Sequence, residues 1–275
     1  MKSVFKYISV LVLAVVLLSP VYANGKRDTS GTNVLTVGAT PVPHGDLLNL
    51  VKDDLAAKGI ELRVVEFSDY VLPNMALDAG DLDANFFQHV PYLNSFNAQG
   101  VNANRSVPLV SAFGVHVEPM GFFSSTVKNI SALKNGATIA IPNDPTNEGR
   151  ALLLLESNGL IKLAPGTGLE GTPLNIIENS KGLRFRELDA AQLPRSLGDV
   201  DGAIINGNFA LGAGLSPVAD ALFIEGADSP YVNVIAVKKG NENDPRILAL
   251  KEVLQSQKVK NFILKNYEGG VVAAF

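Results

Sequence analysis

The first residues whose types and spacing could do chemistry lie in residues 83–93, DANFFQHVPYL. The apolar start of this stretch predicts a buried strand, and Pro91 favours the first turn of a following helix. Phe87, His89 and Tyr92 then lie at the C-terminal end of a strand, the edge where ligands bind in an open α/β sheet. Apolar rings with one imidazole could enclose a small apolar side chain and keep one polar contact. The alternative is structural: the phenylalanine rings belong to the core and His89 caps a turn.

Arg150 is a second candidate, because of its place after a buried strand. Residues 137–141 predict that strand, and a turn-rich loop then leads into a helix with Thr146 as its N-cap. A helix N-terminus offers unpaired N–H groups to an anion. A guanidinium in the first turn can also pair with a carboxylate through two hydrogen bonds. An ordinary solvated arginine is the alternative, but a cation there opposes the helix dipole, which favours a functional role.

Asparagines accompany two later apolar strands. Residues 202–205 predict a small buried strand that ends near Asn206 and Asn208, and Asn233 interrupts the apolar residues 231–237. A buried amide without a hydrogen-bond partner costs about 1–3 kcal/mol, so Asn233 must have one. That partner is either backbone or the amino and carboxylate groups of a ligand.

The elements that position these groups alternate between strands and helices. A strand, a helix and a strand are predicted for residues 33–39, 46–58 and 60–67. This order predicts a βαβ unit and a parallel sheet. Tyr70 follows the second strand and therefore falls on the same sheet edge as Phe87. Extended apolar residues at 106–116 and 121–124 are interpreted as a crossing between two lobes, with a turn at residues 118–121.

Composition excludes several classes of protein. The 275 residues are 47% hydrophobic, carry a net charge of −4 and contain no Trp and no Cys. Without a basic run, nucleic acid is not an expected partner. Three histidines without a metal-binding motif, and no GxSxG motif, predict neither a metal site nor an enzyme. Residues 166–171 match GxGxxG but lack the flanking strand and helix of a dinucleotide site, so no cofactor is expected.

Residues 1–23 have the pattern of a signal peptide. Lys2 and Lys6 precede a short apolar run, and small residues lead to a cleavage site after Ala23. That run is too short to span a bilayer, and residues 24–33 predict a flexible tether. We therefore expect an exported protein, periplasmic or associated with the cell surface, with its signal peptide cleaved after Ala23 and no cysteine available for lipidation.

Several ordered blocks of sequence make a resemblance specific. The chain resembles the NlpA-type methionine-binding lipoproteins, the substrate-binding components of methionine ABC importers. The resemblance runs through most of the chain and is carried by residues 37–44 (VGATPVPH), 85–93 (NFFQHVPYL), 118–121 (EPMG), 142–152 (PNDPTNEGRAL), 206–210 (NGNFA) and 229–233 (SPYVN). It implies an α/β, two-lobed periplasmic-binding-protein type II fold with the ligand cleft between the lobes. The expected boundaries are residues 34–117 plus 232–275 for lobe 1 and residues 118–231 for lobe 2.

The resemblance also implies roles for particular residues. Arg150 would hold the ligand carboxylate, and Asn208 and Asn233 would bind the backbone atoms of the amino acid. The thioether would be enclosed by Tyr70, Phe87, His89 and Tyr92. The expected function is the capture of L-methionine by a monomer and its delivery to the permease and ATPase subunits of an ABC importer.

Other functions stay open at this point. The ligand could be a methionine-containing dipeptide or another apolar amino acid, which the volume of the pocket would separate. A secreted enzyme on the same scaffold would require a nucleophile–base pair that the sequence does not reveal. A surface adhesin or antigen role alongside transport is compatible with the sequence.

Overall fold

The computed structural model describes residues 33–99, 107–226 and 229–275. The predicted signal peptide, residues 1–23, lies outside the described residues, as does the predicted tether except for its last residue, Asn33. Within the described part of the chain, no helix combines the length and the apolar character that crossing a membrane requires.

Strands and α-helices alternate along most of the chain. In chain order the strands are β1 (Asn33–Ala39), β2 (Ile60–Glu66), β3 (Ala84–His89), β4 (Leu109–Val117), β5 (Gly121–Phe123), β6 (Thr138–Pro142), β7 (Lys162–Leu163), β8 (Ile176–Glu178), β9 (Arg184–Leu188), β10 (Gly202–Ile205), β11 (Phe223–Ile224), β12 (Val232–Lys238) and β13 (Val272–Ala273). The α-helices are α1 (Asp46–Leu50), α2 (Lys52–Ala56), α3 (Leu72–Ala79), α4 (Val90–Ala98), α5 (Pro145–Ser157), α6 (Leu193–Ser196), α7 (Gly207–Gly212), α8 (Pro245–Leu254) and α9 (Gln257–Tyr267).

The first lobe is built on a six-stranded mixed sheet in the order β13-β4-β12-β3-β1-β2. Strand β1 pairs in parallel with β2 and β3, which confirms the predicted βαβ opening. Strand β12 pairs antiparallel with both β3 and β4. Every residue of β3 is buried, because the strand is central and both faces of the sheet are covered. The carboxyl end of β3 therefore carries its side chains directly into the interior.

The second lobe is built on a five-stranded sheet in the order β11-β5-β10-β6-β9. Strand β6 pairs in parallel with β9 and β10, and β5 pairs antiparallel with β10 and β11. The two sheets confirm the predicted two-lobed α/β fold. The exact residues at which one lobe ends and the other begins, 34–117 with 232–275 and 118–231, stay a prediction.

Three local expectations were wrong. The crossing predicted at residues 106–116 is replaced over residues 109–116 by β4, which pairs along its length with β12 in the first sheet, and the chain passes to the second sheet in the short connection before β5. The predicted helix at residues 46–58 is broken at Val51, whose φ of −99° and ψ of 5° are not helical. Helix α5 begins at Pro145, and its N-cap is Asp144, whose side chain accepts from the Asn147 N–H, rather than Thr146.

Candidate functional site

A cavity lies between the two lobes, where the ends of β3, α5 and α7 meet. Its volume is about 20 Å³, which is room for a water molecule, so a ligand of amino-acid size requires the lining groups to move apart. Every residue predicted to bind a ligand lines this one cavity: Tyr70, Phe87, His89, Tyr92, Arg150, Asn208 and Asn233. Their role in binding is still a prediction, but their convergence is a property of the fold.

Aromatic rings from the first lobe form one wall. Tyr70, Phe87 and Tyr92 lie with each pair of ring centroids 5.9 Å apart. The Tyr92 hydroxyl donates to the Tyr70 backbone carbonyl at 2.9 Å, which ties the start of α4 to the loop after β2. The wall is therefore formed by aromatic rings, and the hydrogen bond from the Tyr92 hydroxyl holds two of its residues together.

His89 both caps a helix and faces the cavity, so the two alternatives considered from the sequence are combined. Its Nδ1 accepts from the Tyr92 backbone N–H at 3.2 Å, as the N-cap of α4. Its Nε2 lies 3.2 Å from Asn147 Oδ1 in the second lobe. Since Nδ1 is an acceptor, the proton of the neutral ring is on Nε2. Burial, and then the charge of Arg150, lower the pKa of His89 to about 3.

Arg150 lies in the second turn of α5 and is buried, but it already has an anionic partner. Its Nε donates to Glu225 Oε1 at 2.7 Å and its Nη2 to Glu225 Oε2 at 2.5 Å. Nη2 also donates to the Glu118 carbonyl at 2.8 Å, and the guanidinium lies 4.2 Å from the Tyr231 ring centroid. Among the described residues Nη1 donates no hydrogen bond. This nitrogen is the one that a ligand carboxylate could use.

Two asparagines connect α5 with the start of α7. Asn147 Nδ2 donates to both carboxylate oxygens of Asp144 at 2.9 Å, so its Oδ1 is turned away from that carboxylate. That Oδ1 accepts from Asn206 Nδ2 at 2.8 Å. Asn206 Oδ1 is buried and has no hydrogen-bond partner within the part of the chain that the structure describes. An acceptor lining the cavity is therefore open to a donor from a ligand.

Asn208 and Asn233 approach the cavity from opposite lobes. Asn208 Oδ1 accepts from the Tyr70 hydroxyl at 2.5 Å, a bond that crosses between the lobes. Asn233 lies in β12, opposite His89 on β3 and His116 on β4. Its Oδ1 lies 3.1 Å from His44 Nε2, so the partner required by its burial is a histidine.

Glu118 joins these groups and is faced by two histidines. Its Oε1 lies 2.6 Å from His116 Nε2 and 3.2 Å from His44 Nε2. The ligand atoms of these three residues all lie within 4.8 Å of one another, the spacing of a candidate metal site. Ligands at about 2.1 Å from a tetrahedral zinc ion are about 3.4 Å apart, so a separation of 2.6 Å indicates a shared proton instead.

Several residues that line the cavity were not predicted from the sequence. Glu118, Gln88, Asn147 and Gly207 contribute to the cavity, and Asn206 lines it although it was not assigned a role. Residues 118–121 were interpreted as a turn, which is correct for the backbone but ignores the carboxylate. A charged side chain between two apolar strands was the signal that could have identified Glu118.

Comparison with known proteins places this cavity in context. Residues 35–275 match the family model described as NlpA lipoprotein. The chain is 44% identical to the membrane lipoprotein TpN32 of Treponema pallidum, over 90% of this chain and 89% of the relative. It is 45% identical to the D-methionine-binding lipoprotein MetQ of Salmonella typhimurium, over 78% of each chain.

Solved structures agree with these relatives. A nutrient-binding protein from Burkholderia cenocepacia bound to methionine superposes with a TM-score of 0.83 at 46% identity, covering 88% of this chain and all of the other (100%). An ABC transporter periplasmic substrate-binding protein from Coxiella burnetii gives a TM-score of 0.82 at 44% identity, covering 87% and 100%.

The same comparisons contradict the predicted localisation. The matched family and the named relatives are lipoproteins, which carry lipid on a cysteine. The prediction of an exported chain cleaved after Ala23 and left without a lipid was therefore wrong. It rested on the absence of cysteine from the sequence, because a thiol is the attachment point of such a lipid.

Proposed function

The chain belongs to the NlpA lipoprotein family, and from that premise we propose that it captures methionine between its lobes for an ABC importer. The observation that carries the proposal is the cavity itself, in which a wall of rings faces a guanidinium and a carboxylate. An amino acid with an apolar side chain presents the three complementary features: an apolar tail, a carboxylate and an ammonium group.

The carboxylate of the ligand would bind Arg150. Two of its nitrogens are held by Glu225 and the Glu118 carbonyl, so the guanidinium is fixed in position before the ligand arrives. Nη1 then gives a charge-assisted hydrogen bond without loss of side-chain freedom. Asn208 and Asn233 would complete the polar contacts of the ligand backbone.

The side chain of methionine would lie against Tyr70, Phe87 and Tyr92, with His89 at the border of the wall. A thioether makes favourable contacts with aromatic edges, and these rings are held at fixed separations. The neutral state of His89 suits this role, because a charged imidazole would oppose both Arg150 and an apolar tail.

The closed arrangement would form by a movement of the lobes. Hydrogen bonds from Tyr70 to Asn208 and from His89 to Asn147 join the lobes on either side of the cavity. Open lobes would admit the ligand, and closure would bury it. The loaded protein, acting as a monomer, would then dock on the permease of an importer whose ATPase subunits drive transport.

We infer binding rather than catalysis. The described residues that line the cavity include no Ser, Thr, Cys or Lys that could act as a nucleophile. Turnover of a methionine derivative by the purified protein would contradict this inference.

A methionine-containing dipeptide is a second candidate, because a larger hollow adjoins the cavity. This hollow measures about 580 Å³ and shares Asn208 with the cavity, and its lining also includes Thr40 and Arg195. Asn208, which accepts from the Tyr70 hydroxyl, lines both spaces, but of the two only the smaller cavity is lined by Arg150 and the aromatic wall, so its chemistry suits a single amino acid better.

Calorimetry on refolded protein tests the proposal. The protein is unfolded and refolded to remove any bound ligand, then titrated with L-methionine, D-methionine, other apolar amino acids and methionine dipeptides. Tight binding of a methionine isomer supports the proposal, and the D-methionine-binding relatives make D-methionine a necessary arm. Binding of dipeptides but not of methionine would favour the second candidate, and no binding in any arm would contradict both.

A further inference from the structure

Next to the aromatic wall, three amide side chains form a buried cluster that the proposed ligand contacts do not use. Asn74 lies on α3, and Asn85 and Gln88 lie on β3; they are 0%, 0% and 2% exposed. Of these three residues, which we call the amide cluster, only Gln88 lines the cavity. Burial of an amide is costly unless it is hydrogen-bonded, so a cluster of three needs a closed set of partners.

The members of the amide cluster are the main partners of one another. Asn74 Oδ1 accepts from Asn85 Nδ2 at 2.8 Å and from Gln88 Nε2 at 2.7 Å, while Asn74 Nδ2 donates to Gln88 Oε1 at 2.9 Å. Gln88 Nε2 also donates to Asn85 Oδ1 at 2.9 Å, and Asn85 Nδ2 donates to the Pro73 carbonyl at 3.2 Å. Each donor faces an acceptor, so the relative positions of α3 and β3 are specified by these bonds.

A bulge in β3 places two of these amides on one face of the sheet. Side chains alternate along a regular strand, so Asn85 and Gln88, three residues apart, would point to opposite faces. Consecutive residues of β12 pair with Phe86 and Gln88, so Phe87 between them has no opposite residue among those described. The extra residue brings the two amides to a common face. Bulges re-aim side chains near functional sites, and here the bulge residue is a ring of the cavity wall.

The amide cluster also holds the loop that carries Tyr70. The Pro73 carbonyl, which accepts from Asn85, lies in the first turn of α3, directly after that loop. Asp69 closes the loop, because its Oδ1 accepts from two backbone N–H groups around the start of α3, at 2.7 and 2.8 Å. Tyr70 lies inside this turn. The separation of 5.9 Å between the ring centroids of Tyr70 and Phe87 is therefore set by elements that the amides join.

We infer that Asn74, Asn85 and Gln88 are positioning residues that make the aromatic wall a single rigid unit and thereby limit the length of the ligand side chain that the site accepts. The inference rests on the proposed function. Since the cavity has room only for a water molecule, a ligand requires the lining groups to move apart. With the rings locked to one another, that space comes from separation of the lobes. A side chain one methylene longer than that of methionine would have to displace a locked ring.

The first test examines the wall without any ligand. NMR of refolded wild type should show slow hydrogen exchange of the side-chain amides of Asn85 and Gln88, and nuclear Overhauser contacts between the rings of Tyr70 and Phe87. Asn74→Leu removes the centre of the amide cluster and should weaken these ring contacts. Rapid exchange in wild type, or unchanged ring contacts in folded Asn74→Leu, would overturn the positioning role. Neither result depends on the identity of the ligand, so failure here is separate from failure of the proposed function.

The second test compares methionine with ethionine, its homologue with one more methylene, by calorimetry. Wild type should bind methionine about tenfold or more tightly than ethionine, since an apolar pocket discriminates one methylene by about 10–200-fold. Asn74→Leu should reduce this ratio to about threefold or less, because the rings can then part. Asn74 does not line the cavity, so loss of a direct ligand contact cannot explain the change. Equal binding of both compounds by wild type would overturn the limit on length.

A further variant separates positioning from stability. Asn74→Leu leaves two buried amides short of partners, and this loss can prevent folding. Combining it with Asn85→Leu and Gln88→Met replaces the whole amide cluster by apolar groups of similar size, which leaves no side-chain amide unpaired and should keep the melting temperature near that of wild type. The triple variant should still show the reduced ratio. A wild-type ratio in the triple variant would show that packing alone sets the wall and would overturn the inference.

Asn179→Leu is the matched control. This amide also makes two hydrogen bonds, both with the backbone of Leu183, but it lies in the second lobe and does not line the cavity. Its replacement should lower the melting temperature and leave the ratio unchanged. A reduced ratio in the control would show that the ratio follows stability, which would overturn the inference. If wild type binds neither compound, the proposed function is wrong and the ring contacts alone decide the role of the amide cluster.

Discussion

The two walls of the cavity differ in chemistry and in the elements that carry them. The first lobe supplies rings from the loop after β2, the end of β3 and the start of α4. The second lobe supplies a guanidinium from the second turn of α5 and amides from the starts of α5 and α7. Neither wall alone can enclose a molecule with an apolar tail and a charged end. Recognition therefore depends on closure, which brings apolar and polar contacts together.

The difference also shows where each wall obtains its rigidity. The rings are fixed by packing on a central, fully buried strand, whereas Arg150 is fixed by ionic and hydrogen bonds to Glu225 and Glu118. Packing tolerates modest changes of shape, but a buried ion pair tolerates loss of a partner poorly. Substitutions on the polar wall should consequently have larger effects than those on the aromatic wall.

The largest effect is expected for Arg150→Ala. Methionine affinity should fall about 100-fold or more, because the ligand carboxylate loses its cation. The free energy of unfolding should fall by about 3 kcal/mol, because Glu225 is left without its partner. Calorimetry and urea unfolding measure the two effects. Arg246→Ala, which breaks a pair with Asp244 away from the cavity, should change stability but not affinity. Unchanged affinity in Arg150→Ala would contradict the assigned role.

A smaller effect is expected on the aromatic wall. Phe87→Leu should lower methionine affinity about tenfold, since ring contacts add about 0.5–1.5 kcal/mol beyond buried area. The control is Phe122→Leu, which makes the same change on a fully buried ring in the second lobe. If Phe87→Leu weakened binding as much as Arg150→Ala, the contrast between the two walls would be wrong.

Closure itself is tested by Tyr70→Phe. The ring stays, but the hydroxyl that donates to Asn208 across the cavity is lost, so affinity should fall about fivefold. Most of the change should appear as faster dissociation in stopped-flow measurements. Tyr267→Phe removes a hydroxyl that donates to Asp46 within the first lobe and should leave the dissociation rate unchanged. Equal rates in both variants would argue against a role of this bond in holding the closed form.

The smallest effect is expected for Glu148→Gln in the second lobe, where ionisation of a buried carboxyl group lowers the free energy of unfolding. Glu148 is buried with Oε1 unpaired among the described residues, and burial, with Glu187 and Asp144 nearby, raises its pKa to about 7. A raised carboxyl pKa contributes stability below the unfolded value, near 4.5, and loses it as pH rises through 7. Glu148→Gln should therefore melt at a higher temperature than wild type at pH 8, with little difference at pH 4.

Thermal melts at both pH values measure this difference. The exposed Glu178 provides the control, since its replacement by Gln should shift the two melting temperatures only slightly. A destabilised Glu148→Gln at pH 8 would show that the charged form has a partner that stabilises it.

The sequence predicted a large part of the fold and of the candidate site. The βαβ opening, the two lobes and the convergence of Tyr70, His89, Arg150 and the asparagines all follow from polar or aromatic residues placed at the ends of apolar strands. Parallel strands bring their carboxyl ends to one edge, so a local pattern is enough to predict that these residues meet. The lipidation state could not be predicted in this way, since it depends on a single residue type and not on a pattern.

What the sequence by itself determined was which side chains could meet, because strand periodicity and turn residues act over short distances along the chain. Only the tertiary structure decided how they pair. Arg150 is bound to Glu225, and His44 lies against Asn233, across 75 and 189 residues of chain respectively. Such pairs depend on the packing of the two sheets and on which donors and acceptors are left without water. No local pattern in the chain contains that information, and it is what gives the cavity its charge.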